Sequence, residues 1–194
     1  MDEPLLNTTS TGVAFTDDWS ADGRFIVYGA PPNDGTGALD VWMLPLTGDR
    51  KPVPIVQGPG IQSRAVISPD SRWLAYTSDE SGTPQIYVQP IGVPGERVMI
   101  SRDGGAQAQW RRDGKELFFL KPDATMMSVT IDTTHEFQAT VPVALFQASG
   151  TTPANRRQFA VSRDGNRFLM ISSDRTASGS ALTVVVNWLA SVQK

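Results

Sequence analysis

Few residues in this chain combine the type and spacing that chemistry needs. Asp17 and Asp18 are adjacent carboxylates, and calcium takes oxygen ligands of that kind. Two carboxylates fall short of the six or so ligands that calcium wants. A calcium or other divalent site would therefore need help from elsewhere, and no other cofactor is expected. His135 is the only histidine, next to Glu136. A Ser-His-Asp triad would have to use it, yet no Gly-x-Ser-x-Gly elbow accompanies it. Zinc wants several His or Cys ligands, and the chain has no cysteine at all. Thiol catalysis and a disulfide frame are excluded on the same ground. His135 is expected in an exposed loop.

The elements that must position any site are written four times. Ser68-Pro69-Asp70-Ser71-Arg72-Trp73-Leu74-Ala75-Tyr76 recurs as Ser20-Ala21-Asp22-Gly23-Arg24-Phe25-Ile26-Val27-Tyr28. Arg111-Arg112-Asp113-Gly114-Lys115-Glu116-Leu117-Phe118-Phe119 and Ser162-Arg163-Asp164-Gly165-Asn166-Arg167-Phe168-Leu169-Met170 complete the set. The shared aspartates are 48, 43 and 51 residues apart. A period in the forties signals a repeat architecture. Each copy reads as strand, tight turn, strand. The aspartate bonds the backbone two residues on, and glycine accepts the positive φ that follows. The second copy has Ser71 where the others have glycine, so Ser71 must tolerate the same geometry. These aspartates are expected to shape turns.

The second repeat spells out one unit. Residues 63–68 form a strand. Arg72 to Ser78 alternates, with Trp73 and Ala75 on one face and Leu74 and Tyr76 on the other. Gln85 to Gln89 and Arg97 to Ile100 supply two more strands. Four antiparallel strands joined by hairpins make one blade of a β-propeller. The blades are expected at 13–57, 63–101, 107–147 and 158–188, with residues 4–8 as a spare leading strand. The expected fold is one all-β domain over 1–194, with a helical turn or two at most after Trp188. Trp19 and Trp110 align with Ile67 and Val161, which predicts blade-to-blade packing, and Trp42 and Tyr87 read as core.

In such a fold the first strand of each blade lines the central channel. Thr16, Arg64, Gln107 and Gln158 stand six residues before the turn aspartates, and Gln62 and Arg156 stand two further back in their copies. These six residues are the expected ligand-facing surface. Net charge is −3 and pI about 5.1, so nothing points to nucleic acid. The apolar stretch Leu182 to Val186, broken only by Thr183, is far short of a membrane span. Met1-Asp2-Glu3-Pro4 is acidic and unlike a secretory leader.

Residues 68–88 resemble the TolB-like, WD-repeat-like β-propeller repeats of bacteria. Gly104 to Phe119 and the ending Leu182 to Trp188 are similar to propellers attached to certain bacterial Ser/Thr protein kinases. No glycine-rich nucleotide loop or His-Arg-Asp loop is present. The resemblance implies a non-enzymatic module that binds a protein, peptide or small ligand, located in the periplasm or otherwise outside the cytoplasm. By analogy with other propellers, the alternative is a metal-assisted hydrolase of esters, lactones or phosphotriesters. It would use Asp17 and Asp18 for the metal and Arg64 for the oxyanion. Family propellers carry six to eight blades, so four repeats look like a fragment of a longer ring. A homodimer of eight blades would close that ring, with residues 4–8 completing the partner's fourth blade.

Overall fold

The computed structural model describes residues 5, 14–32, 38–93, 95–148, 158–172 and 181–186, residue 172 and the last segment as backbone. Of the expected leading strand only Leu5 is described, exposed and in a bend; the rest of it, Arg156 and the tail from Trp188 onward lie outside the described residues. Among the described residues there are sixteen strands and no helix, hence none long and apolar enough to cross a membrane.

The first blade is β1 (Phe15–Trp19), β2 (Phe25–Ala30), β3 (Asp40–Pro45) and β4 (Val53–Val56), paired in that order. The second is β5 (Gln62–Ile67), β6 (Trp73–Ser78), β7 (Gln85–Pro90) and β8 (Val98–Met99). The third holds β9 (Ala106–Trp110), β10 (Glu116–Leu120), β11 (Thr125–Asp132), β12 (Gln138–Ala139) and β13 (Val143–Gln147). The fourth is β14 (Phe159–Val161), β15 (Arg167–Ser172) and β16 (Ala181–Val186). All the blade pairings are antiparallel.

Blade three departs from the four-strand template. β11 is eight residues long, and its far end pairs with β12 through Ile131 and Ala139. Its near end pairs with β13 instead, Met126 facing Phe146. A long strand can serve two short partners at different heights, and the loop between β11 and β12 carries His135. That histidine is exposed, as its loop position predicts.

The four turns share one geometry. The residue after each aspartate is left-handed: Gly23 at φ 74, Ser71 at 60, Gly114 at 73 and Gly165 at 75. Its N–H bonds the carbonyl three residues back, at 2.9 Å in blade one and 2.8 Å in blade two. The aspartate carboxylate accepts the N–H two residues on: Arg24 at 3.0 Å, Arg72 at 3.2 Å, Lys115 at 3.0 Å and Asn166 at 3.1 Å. A serine two residues before the aspartate accepts a further N–H, from Phe25, Trp73 and Arg167. Blade three has Arg111 there. Its guanidinium bonds both oxygens of Asp113, reaches Glu116 as well, and holds Asp113 below the usual carboxylate range.

Blades two and three are apolar on both faces, because each is covered by a blade on either side. Phe25, Val27 and Val41 of blade one meet Ile67, Leu74 and Tyr76 of blade two. Ala75, Ile86 and Val88, on the other face of blade two, meet Leu117, Phe119 and Val129 of blade three. Phe118 and Met126 then meet Phe159, Phe168 and Met170 of blade four, with Phe118 edge-on to Phe168 at 5.0 Å. Burying one such ring is worth about 1.5–3 kcal/mol. Trp110 packs against the junction of blades two and three as expected, and Tyr87 is core. Trp19 differs. It is 60% exposed, because its side of β1 faces away from blade two: Trp19 pairs with Ile26, whereas Val27 points into the junction.

These turns give a direct test. Ser71→Gly relieves left-handed strain of about 1 kcal/mol but frees the unfolded chain; it also removes a hydroxyl contact to Asp22. The net effect in urea denaturation is expected between neutral and about 0.5 kcal/mol stabilising. Gly165→Ala should cost about 1–3 kcal/mol, since its new Cβ would lie 2.6 Å from Arg111 Cδ at φ 75.

Candidate functional site in the channel wall

The inner strands β1, β5 and β9 are all irregular at the same place. The pairing of β1 with β2 slips between Thr16 and Asp18, and that of β5 with β6 between Ser63 and Val66. β9 slips against β10 across Gln107 and Ala108. Arg64 and Gln107 adopt left-handed backbone there, at φ 55 and 61. Such bulges bend a strand and re-aim a side chain. Neither residue is a glycine or asparagine, so each conformation carries strain of about 1 kcal/mol or more.

Two neighbouring clefts open on this wall. One, of about 670 Å³, is lined by Phe15, Thr16, Asp17, Ile61, Ser63 and Arg64. The other, of about 570 Å³, adds Asp79, Lys121 and Gln158, and again includes Ile61, Ser63, Arg64 and Gln107. Arg64 is half-buried on their shared wall. Burial pulls its guanidinium below the ordinary arginine value, and the nearby Asp17 carboxylate pulls the other way.

The expected polar ring divides in two. Thr16 is exposed and Arg64 half-buried, and both line the clefts. Gln107 and Gln158 are each 5% exposed and are tied together, the Gln158 N–H donating to Gln107 Oε1 at 2.7 Å. Gln62 is 1% exposed, its Nε2 on the Pro59 carbonyl at 2.8 Å. It is a buried residue of the wall and lines neither cleft. Asp17 and Asp18 are adjacent in sequence but serve different places. Asp17 lines the cleft. Asp18 accepts the N–H of Trp19 at 2.9 Å and, across the junction, that of Ile67 at 2.8 Å. Among the described residues no three His, Cys, Asp or Glu side chains gather as a metal site.

Sequence reasoning missed how the inner strands are joined. Trp110 Nε1 donates to the Val66 carbonyl at 3.3 Å, and Gln109 Nε2 to the Phe159 carbonyl at 2.5 Å. It also missed Phe15, Ile61 and Lys121 as cleft residues. Phe15 and Ile61 are 54% and 44% exposed, and nothing in their local pattern separates them from core positions.

Antiparallel blades arranged face to face around polar inner strands define a β-propeller, and this one is TolB-like. The sequence pattern of the lipoprotein LpqB beta-propeller domain matches residues 42–188. That is more than half of the chain, which therefore belongs to this family. No curated protein sequence matches it. Among solved structures it is similar to TolB from Acinetobacter baumannii, with TM-score 0.66 and 19% identity over 91% of this chain and 41% of that one. It is also similar to a puromycin-hydrolyzing peptidase of Mycobacterium tuberculosis, with TM-score 0.59 and 17% identity over 86% and 28% of the two chains. A putative 6-phosphogluconolactonase from Bacteroides uniformis gives TM-score 0.52 and 15% identity, over 91% and 55%. At these identities the likeness is one of fold. The chain spans about half or less of each of these proteins.

The bond from Asp18 to Ile67 can be tested by substitution. Asp18→Ala leaves a part-buried N–H without its acceptor and should cost about 1–2 kcal/mol, measured by urea denaturation. Thr16→Ala, on the exposed wall, should fall within about 0.5 kcal/mol of the parent.

Proposed function

We propose that this chain is a non-catalytic binding module, a propeller segment that holds a protein, peptide or small ligand against its channel wall. The observation that carries the reading is the use made of the polar inner-strand residues. Asp18, Gln107, Gln109 and Trp110 bond the backbone of neighbouring blades. Such residues keep the wall rigid, and a preformed cleft binds at lower entropic cost. The family's name is that of a lipoprotein domain, and with TolB among the similar structures it favours a place outside the cytoplasm. Activated esters and phosphotriesters, assayed with and without chelator, should show no turnover above buffer. Metal-dependent hydrolysis that disappears in Asp17→Ala would overturn the reading in favour of a hydrolase.

The same reading includes assembly into an eight-bladed ring by two copies. Within the chain, the trailing face of each blade meets the leading face of the next. Blade four has exposed Leu169 and Ile171 on its trailing face, at 41% and 37%, and the exposed Trp19 lies on the leading face of blade one. Those two faces are of the kinds that pair inside the chain, and a two-fold axis would join both at once. Residues 4–8 would complete the partner's fourth blade. Light scattering at micromolar concentration should give a dimer, and Ile171→Asp or removal of residues 1–9 should shift it to monomer. A well-folded monomer, unchanged by either variant, would overturn the ring.

A further inference from the structure

We infer that a further cleft, at the turn end of blades two and three, binds a neutral saccharide. It lies at the opposite end of β5 from the channel-wall clefts and does not depend on the reading above. Its volume is about 710 Å³, within the range of small-ligand pockets. Three segments enclose it: the Asp70 turn of blade two, the Asp113 turn of blade three, and residues 130–134 at the far end of β11. The third wall follows from the length of β11, which runs eight residues where β7 runs six. The chain beyond it leans onto blade two. Arg72 Nη2 donates to the Thr133 carbonyl at 3.3 Å, and the Phe137 ring lies 4.7 Å from that of Trp73. The departure of blade three from the four-strand template therefore builds one wall of a cleft.

The lining has three properties. The first is aromatic surface. Trp73 and Trp110 both line the cleft, each only partly buried, and an indole joins a broad apolar face to a polar edge. The Trp110 N–H goes to the Val66 carbonyl. That of Trp73 is buried and bonds no acceptor among the described residues. The second is a balance of charge. Asp70 is paired with Arg72 Nε at 2.8 Å. Asp113 is held below the usual carboxylate range by Arg111 first and by Lys115 in smaller part. Asp132 is held low by Thr134 first, and His135 and Lys115 add to it. Neither an anion nor a cation would find an unanswered charge here. The third is a surplus of acceptors. Carboxylates only accept. Thr134 bonds Oδ1 of Asp132 alone, leaving Oδ2 without a bond among the described residues, and Thr130 and Thr133 add hydroxyls. A peptide segment brings as many carbonyls as N–H groups, and few free donors stand here to receive them. A sugar brings mostly hydroxyls, which donate to these oxygens, and a C–H face that packs on an indole.

The probes are maltotriose, cellotriose and chitotriose, each titrated with intrinsic tryptophan fluorescence and calorimetry as readouts. At least one should bind with millimolar or tighter affinity, changing less than twofold between low and high salt. Trp73→Phe, which keeps a ring but not the N–H, should weaken that binding several-fold, and Trp73→Ala at least tenfold. Thr133→Val and Asp132→Ala, on the blade-three wall, should each weaken it at least threefold. Thr16→Ala, in the channel clefts, should leave it within twofold of the parent. Thermal melts identify any variant that fails to fold; if Trp73→Ala does, the two wall variants decide. Binding of none of the three sugars at tens of millimolar overturns the assignment. So does binding that the Trp73 and wall variants leave unchanged, or binding lost in Thr16→Ala, which would place the sugar in the channel. Trilysine or inorganic phosphate binding more tightly than every sugar, and weakened by the same wall variants, would overturn the neutral class.

Discussion

The inner strand of a propeller blade has one open edge. Its outward side is paired within the blade, but its inward N–H and C=O groups face the channel and the neighbouring inner strands. Those strands splay apart and cannot form a ladder with one another. Buried backbone groups must still find partners, and an open edge invites unwanted strand addition. Here side chains reach across instead. Asp18 takes the Ile67 N–H, Trp110 gives to the Val66 carbonyl, Gln109 to the Phe159 carbonyl, and Gln107 takes the Gln158 N–H. The apolar faces supply most of the energy of blade packing. The polar bridges fix the lateral register at which those faces meet, and with it the position of the cleft wall.

The repeat itself was plain in the chain. Aspartate followed by a left-handed residue and then an alternating apolar strand is a local signal, and its physics is local: a carboxylate on an N–H two residues away and a backbone angle. Even Ser71, the exception to glycine, adopts the angle expected of it, at φ 60. The alternation of Trp73, Leu74, Ala75 and Tyr76 named the two faces of β6 correctly, because a blade covered on both sides still sends successive residues to opposite neighbours.

The site was legible only in part, and for a physical reason. The spacing from each turn aspartate located Arg64 and Thr16 on the wall. It could not separate a polar residue facing the channel from one folded back to bond a neighbouring blade, so Gln62, Gln107 and Gln158 looked alike and have different roles. Which side a residue takes depends on the bulge at Arg64 and Gln107, and a bulge without glycine leaves no mark in composition. The five-stranded third blade was hidden for a similar reason. β12 is two residues long and pairs with the overhang of β11, so its existence depends on a contact made only after the blade has formed.

The set of bridges differs from one junction to the next. The first junction joins a carboxylate to an N–H and an amide to a carbonyl, the second an indole and a guanidinium to carbonyls, and the third uses two glutamines in opposite senses. Blade two presents neighbouring groups of one strand, the Val66 carbonyl and the Ile67 N–H, to its two sides. Near-identical repeats in tandem run a standing risk during folding, since any blade's faces resemble those of every other and the chain can dock out of order. Unlike bridges act as keys for that order. A blade docked one place out of turn would leave some of these groups without a partner: blade four has Val161 where blade three has Trp110, so on blade two it would leave the Val66 carbonyl without its indole. Four similar units thereby acquire a single sequence of assembly through a handful of polar side chains that add little to the core.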